Sequence, residues 1–217
     1  MKVIITGATG MVGEGVLLEC LQNDLVSKIL VVGRKTCSMS HPKLSELIVP
    51  DFLKIGDFAS ELTGYDACFF CAGISSVGLK EPEYTVITYD TTLAFAKTLI
   101  ALNSNLVFNF VSGQATDSSE KGRSMWARVK GKTENDLMKL GFKGQFNFRP
   151  GAMTPMTGQT RAKTLYTIIA KVANFLVPKM VLNIKDIGKA MIHSVAYGYP
   201  KQVLEVADIR VLAKKTS

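Results

Sequence analysis

The chain has 217 residues, a formal net charge of +8, 47% hydrophobic residues and 20% charged ones. That length can bury a full core without staples, and that composition excludes a disordered chain. The basic residues are dispersed, in Arg34-Lys35, Lys121 to Arg128, Lys139 to Arg149, Arg161 to Lys171 and Lys214-Lys215. No run is long enough for a nucleic-acid tail, so no nucleic-acid partner is expected and the charge reads as a solvated basic surface.

The first element reads as a strand over Val3–Thr6, then the loop Gly7-Ala-Thr-Gly10-Met-Val-Gly13, then a helix over Met11–Gln22. Gly7 permits the tight turn, Gly10 leaves room for a pyrophosphate against the backbone, and Gly13 lets the helix sit close to the sheet. The helix start presents free N–H groups and the positive end of its dipole to phosphates. Thr9, Met11 and Val12 complete this candidate cofactor loop. An apolar β-branched run before the loop and an apolar-periodic helix after it supply the context that the glycine spacing alone lacks. No signal peptide is expected, because the first residues already read as strand and loop.

A second strand, Ile29–Val32, runs into Gly33-Arg34-Lys35. Nucleotide sheets that select NAD place an acid here for the ribose 2′-hydroxyl. Arg34 and Lys35 instead favour a 2′-phosphate, so the expected cofactor is NADP(H) in preference to NAD(H). After a third strand, Glu46–Val49, Asp51 reads equally as an acceptor for the adenine amino group or as a helix cap, and Phe52 as an adenine-pocket wall. A helix is expected over Phe58–Leu62. The fourth strand, Ala67–Cys71, leads into Cys71-Ala72-Gly73, small residues that let the backbone pass the cofactor's riboses. Cys68 and Cys71 point to opposite faces of a strand, so they read as buried reduced thiols and not as a redox or metal pair.

A long helix, Thr85–Leu102, precedes a fifth strand, Leu106–Val111, which ends at Ser112. In the next helix, Met125–Leu140, Trp126 and Lys130 lie one turn apart on one face. The sixth strand, Gln145–Arg149, ends at Pro150-Gly151, a rigid turn suited to the nicotinamide end. Beyond it come a loop over Pro150 to Pro155, a helix near Lys163–Leu176, a short strand near Val181, a helix over Ile184–Ala196 and a strand-like piece over Gln202–Val206. The apolar stretch from Leu165 to Leu182 is interrupted by Lys171, Asn174, Pro178 and Lys179 and is too broken for a membrane span.

The alternation of apolar strands with helices predicts an α/β fold, a doubly wound Rossmann-like parallel sheet with helices on both faces and a small C-terminal substrate-side elaboration. The expected organisation is one domain over residues 1–217, with a nucleotide-binding core at 1–150 and a short extension at 151–217.

These residues together resemble the short-chain dehydrogenase/reductase superfamily, in its extended and atypical members related to NAD(P)-dependent epimerases and dehydratases. Length, the Gly33-Arg34-Lys35 turn, Asp51-Phe52, Ser112 and Val129-Lys130-Gly131 are most similar to its Tat-interacting-protein-like branch. The resemblance implies a serine that orients a carbonyl, a tyrosine that donates or accepts the proton, and a lysine that lowers the tyrosine pKa and binds the cofactor at its nicotinamide ribose. Ser112 and Lys130 match, whereas Trp126 stands at the tyrosine position. An indole N–H donates a hydrogen bond but has no proton ionisable near neutral pH. Tyr84, Tyr89, Asp117, Arg123, Ser124 and His41 are the other candidate proton donors, none recommended by its spacing.

Three functions follow as expectations. The first is an NADP-dependent oxidoreductase of a small carbonyl or alcohol, with Ser112 polarising the carbonyl. The second is a non-catalytic NADP(H)-sensing regulator acting through a protein partner, alone or as a homo-oligomer. The third is a nucleotide-sugar epimerase or dehydratase, for which the region after Arg149 offers little room. A cytoplasmic location is expected.

Overall fold

The computed structural model describes residues 1–160 and 181–215. The expected helix at 163–176, and with it most of the apolar stretch before Leu182, lies outside the described residues. Among the described residues no helix is long and apolar enough to cross a membrane.

The elements in chain order are β1 (Lys2–Thr6), α1 (Met11–Gln22), β2 (Lys28–Gly33), β3 (Leu44–Ile48), a 3-10 run (Phe52–Leu62), β4 (Ala67–Phe70) and α2 (Glu81–Thr85). A π-helical turn (Val86–Asp90), α3 (Thr91–Leu102), β5 (Val107–Val111), α4 (Met125–Met138) and β6 (Gly144–Phe148) follow. The last are β7 (Ala152–Thr154), β8 (Val181–Asn183), α5 (Ile184–Tyr197), β9 (Val203–Leu204) and α6 (Val206–Ala213).

Among the described residues, seven strands form one sheet in the order β3-β2-β1-β4-β5-β6-β9, every pairing parallel. The register aligns Thr6 with Val32 on one side and with Phe70 on the other. Because side chains alternate across a strand, β1 sends Val3 and Ile5 to one face and Ile4 to the other. The first face is covered by α1, α5 and α6 through Val16, Leu17, Ile187, Met191 and Ile209. The second is covered by the 3-10 run, α3 and α4 through Ile55, Phe95, Leu99 and Leu137. Cys68 packs with the second face and Cys71 against the first, and all four thiols are free.

Four expectations change. The single helix expected over Thr85–Leu102 begins earlier, at Glu81, where the Glu83 carboxylate accepts from the Lys80 N–H at 3.1 Å and Pro82 sits in the first turn, and a π-helical turn interrupts it. The helix expected at Phe58–Leu62 begins at Phe52, because Asp51 caps it by accepting from Leu53 N–H at 3.0 Å. The loop expected over Pro150 to Pro155 contains β7, which pairs with β8 as a separate two-stranded sheet. Finally, α6 continues the chain beyond the expected terminal strand, capped by Glu205 and Asp208.

Candidate functional site

With every pairing in the main sheet parallel, the carboxyl ends of its strands share one edge, and the chain leaves β1 for opposite sides of the sheet through β2 and β4. Ligands of such sheets bind where the strand order reverses, here between β1 and β4. At this point Gly7 has φ +71°, and a Cβ on it would fall 2.6 Å from the carbonyl carbon and oxygen of Cys71. Thr6 Oγ1 accepts from the Ala72 N–H at 3.1 Å, tying the two strand ends together. A Cβ on Gly13 would lie 2.2 Å from the Gly7 carbonyl oxygen, so only glycine lets α1 start this close to the strand.

Gly10 differs from both. Its N–H donates to Gly7 O at 2.9 Å and closes the turn, but its own Cβ position is exposed, 3.4 Å from Gly7 O with no other heavy atom within 4 Å. The first hydrogen bond of α1 runs from Glu14 N–H to Gly10 O at 2.9 Å. The N–H groups of Met11, Val12 and Gly13 therefore precede the first closed turn, where an α-helix offers donors to an anion. Two internal glycines and one outward glycine at a helix start fit a pyrophosphate, and this cradle carries the argument for a dinucleotide.

Arg34 and Lys35 follow β2 as exposed side chains. Asp51 is engaged as the cap of the 3-10 run. The Phe52 ring is partly buried against Phe70 and Phe95, with centroids 6.5 and 5.5 Å away, so it belongs to the aromatic core under the site. Ala72 is partly buried and Gly73 exposed at the end of β4.

At the other side of the switch point, Ser112 ends β5 and is buried at 5% exposure. Its hydroxyl lies 2.5 Å from Glu134 Oε1 and 3.1 Å from the Phe148 carbonyl oxygen. Its own carbonyl oxygen accepts a short hydrogen bond from Lys130 Nζ. Lys130 and Glu134 are one turn apart on α4, and Trp126 lies one turn before Lys130. Behind them the Arg149 guanidinium grips Glu134, Nη2 to Oε2 at 2.5 Å and Nε to Oε1 at 3.1 Å, and Nη1 reaches Glu205 at 3.2 Å. Burial works against the Arg149 charge, but the hydrogen bonds and charge of Glu134 outweigh it and raise its pKa. Burial lowers the Lys130 pKa to about 8, with the charge of Glu134 opposing. Pro150 is buried, and its carbonyl oxygen accepts from Gln114 N–H at 2.9 Å, which fixes the turn through Gly151 beside the loop after β5. Gly131 lets that loop cross α4, since a Cβ there would sit 1.8 Å from Asp117 O.

The alternative proton donors scatter. Tyr84 is buried at 1% exposure, and burial raises its pKa. Tyr89 donates to Asp136 at 2.8 Å beneath Lys132. Asp117 is occupied by Ser119 and by the Gly122 N–H, and His41 accepts from Lys43 N–H at 3.1 Å.

Sequence reasoning missed two groups. Glu134 and the Arg149 side chain form the buried ion pair behind Ser112; the helical spacing of Glu134 from Lys130 was the available signal. Glu14, a buried carboxylate in the first turn of α1, accepts from Thr160 N–H at 2.9 Å and Thr160 Oγ1 at 2.7 Å. Gln159 Nε2 donates to Met11 O at 2.6 Å, so residues 156–160 strap the start of α1. Nothing local in the sequence pairs positions so far apart.

Comparison with known proteins agrees with this geometry. Residues 3–121 match the model of the NAD dependent epimerase/dehydratase family. The rat protein HTATIP2 is 28% identical over 70% of this chain, and the match spans 62% of its own length, less than two-thirds. The mitochondrial protein FMP52-2 of Scheffersomyces stipitis is 31% identical over 69% of this chain and 65% of its own. Among solved structures, a dTDP-glucose 4,6-dehydratase of Streptomyces venezuelae with NAD bound aligns over 95% of this chain and 75% of its own, with TM-score 0.72 and 16% identity. A UDP-N-acetylglucosamine 4-epimerase of Methanobrevibacter ruminantium aligns over 94% and 75%, with TM-score 0.69 and 17% identity. The expected cytoplasmic location is corrected: it is contradicted by the Fmp52 relatives, which are named as mitochondrial proteins. The physical reason for the miss is that the residues read for the location are those of the fold, which is the same in either compartment. The parallel sheet, the glycine cradle at its switch point and the matched family model agree, and the chain belongs to the NAD dependent epimerase/dehydratase family, with HTATIP2 and the Fmp52 proteins among its relatives.

Proposed function

We propose that the protein binds NADP(H) in preference to NAD(H) and acts as an oxidoreductase on a small carbonyl or alcohol. The observation that carries the reading is the placement of the Gly7–Gly13 cradle after β1 and the Ser112–Lys130 pair after β5 at the same edge of the sheet, with β4 between them. Gly7, Thr9, Gly10, Met11, Val12 and Gly13 would hold the pyrophosphate, Arg34 and Lys35 the 2′-phosphate, and Cys71, Ala72 and Gly73 the riboses. Asp51 and Phe52 would act at the adenine end through the backbone they fix, as cap and as packed ring. Pro150 and Gly151 would back the nicotinamide end. A nicotinamide, when bound, supplies or accepts hydride. The chain's own residues bind it, orient the substrate oxygen and hold a proton near it. Two exposed cations after β2, where an acid would select NAD, support NADP(H) over NAD(H). Residues 151–217 would form the substrate side.

The second reading is a non-catalytic NADP(H) sensor, favoured by Trp126 at the position where the superfamily carries its tyrosine. A nucleotide-sugar epimerase reading rests on the fold shared with the solved epimerase and dehydratase structures and meets the same tryptophan. Oxidation of NADPH across a panel of small aldehydes and ketones separates the readings. Turnover of at least one carbonyl is expected; binding of NADPH with no turnover on any carbonyl favours the sensor.

A further inference from the structure

The Ser112 hydroxyl has one proton and two acceptors, Glu134 Oε1 at 2.5 Å and Phe148 O at 3.1 Å. Both lie inside the protein. Glu134 is fully buried and paired with the Arg149 guanidinium through two nitrogens. A buried carboxylate facing a hydroxyl takes its hydrogen. Ser112 then has no proton to offer a carbonyl on the cofactor side. Trp126 has no ionisable proton. The only group of the constellation that can both donate a hydrogen bond and release a proton is the Lys130 ammonium, anchored by one N–H to the Ser112 carbonyl with two N–H bonds left.

We propose that Lys130 is the catalytic acid of the reductase described above, donating its proton to the substrate oxygen directly, and that Ser112 and Glu134 are positioning residues behind it. The inference rests on the oxidoreductase reading. As the carbonyl carbon accepts hydride from the reduced nicotinamide, its C=O π bond breaks, and the oxygen takes a proton from Nζ. A C–H and an O–H bond form, Lys130 is left as a neutral amine, and water reprotonates it. In the alcohol direction the neutral amine accepts the hydroxyl proton. A lysine in ordinary solvent would be a poor base near neutral pH; its burial at the end of β5, which lowers its pKa to about 8, brings both protonation states into range. The charged groups set against it are Glu134 on its own helix and Arg149 behind that, with Glu205 beyond.

The test has two arms. In the apo protein, the Lys130 side chain is titrated by NMR on lysine labelled at Cε, with the resonance assigned by its loss in Lys130→Arg. In parallel, kcat/KM for carbonyl reduction is followed from pH 6 to 10, and NADPH binding and turnover are measured for Lys130→Arg. The expected results are a Lys130 midpoint near 8, reductive kcat/KM falling tenfold per pH unit above the same midpoint, and loss of at least 10²-fold in turnover for Lys130→Arg with NADPH still bound. The arginine keeps the charge and the donors but cannot release a proton. Turnover with Lys130 titrating at the usual lysine value, or retained in Lys130→Arg, overturns the lysine assignment and leaves the reductase reading standing. A Lys130 midpoint near 8 with no carbonyl reduced by the wild type overturns the reductase reading and the assignment with it.

Discussion

Arg149 and Glu134 meet inside the protein where α4 crosses the end of β6, guanidinium to carboxylate at 2.5 Å, with Glu134 fully buried and the Arg149 side chain only 10% exposed. The pair joins helix to strand directly behind Ser112. Removing one partner of such a pair leaves the other charge buried and uncompensated.

Glu134→Ala is therefore expected to destabilise the fold by about 3–5 kcal/mol, measured by urea denaturation. A loss below about 1 kcal/mol, the range of exposed pairs, would show that solvent reaches the site and that Arg149 is not held as described.

Gly10 and Gly13 of the glycine loop should separate by mutation. Gly10→Val adds a side chain outside the loop, where the nearest heavy atom to its Cβ is Gly7 O at 3.4 Å. It should abolish NADPH binding in calorimetry and leave thermal stability within a few degrees. Gly13→Ala brings a Cβ to 2.2 Å from Gly7 O and should lower stability as well. A Gly10→Val protein that binds NADPH normally would reduce the loop to a turn.

Glu19 provides a pH signature away from the site. It is buried between α1 and α5, with Gly188 against its Cβ, and among the described residues its Oε2 has no hydrogen-bond partner. Burial raises its pKa, opposed by Asn23, Lys185, Lys189 and His193. The native state thus binds this proton more tightly than the unfolded chain. Its unfavourable effect is absent below the ordinary carboxyl pKa of 4.5 and develops as pH rises through the elevated value. Glu19→Gln should be more stable than wild type at pH 7, and the difference should vanish near pH 4. Equal unfolding midpoints at both pH values would contradict the burial argument.

Much of the fold was readable because period and punctuation agreed. Helix α1 was bounded correctly at both ends by the glycine loop before it and the turn after it. Strands β1, β2 and β4 are near-continuous apolar runs, which is what the covered middle of a parallel sheet requires, whereas β3 at the edge is mostly exposed. The errors fall where a distant or local polar contact decides the matter. Asp51 extended a helix by capping it, and the short β7 exists only through its pairing with Val181–Asn183. At the candidate site, the nearness of Ser112 and Lys130 was legible from their places at a strand end and on the next helix, but the direction of the Ser112 hydroxyl was not. That direction depends on Glu134 and Arg149, whose meeting is a property of the folded chain.

Trp126→Tyr should restore a second acid. The phenol would stand one helical turn from Lys130 on the same face, where a cation lowers its pKa. Turnover should rise about 10²-fold, the lower end of what general acid catalysis contributes, and the high-pH limb should move with the phenol. An unchanged rate and profile in a stable, NADPH-binding variant would mean that the substrate oxygen does not sit over this face of α4.

The central claim, an NADP(H) site built by the Gly7–Gly13 cradle and the Arg34-Lys35 turn, is tested most directly by calorimetric titration of the wild type and Arg34→Ala with NADPH and NADH. The account predicts one site per chain, tighter binding of NADPH, and a loss of about 1.5–3 kcal/mol for NADPH in Arg34→Ala, the worth of a hydrogen bond to a charged group, with NADH almost unaffected. Equal or tighter binding of NADH by the wild type would contradict it.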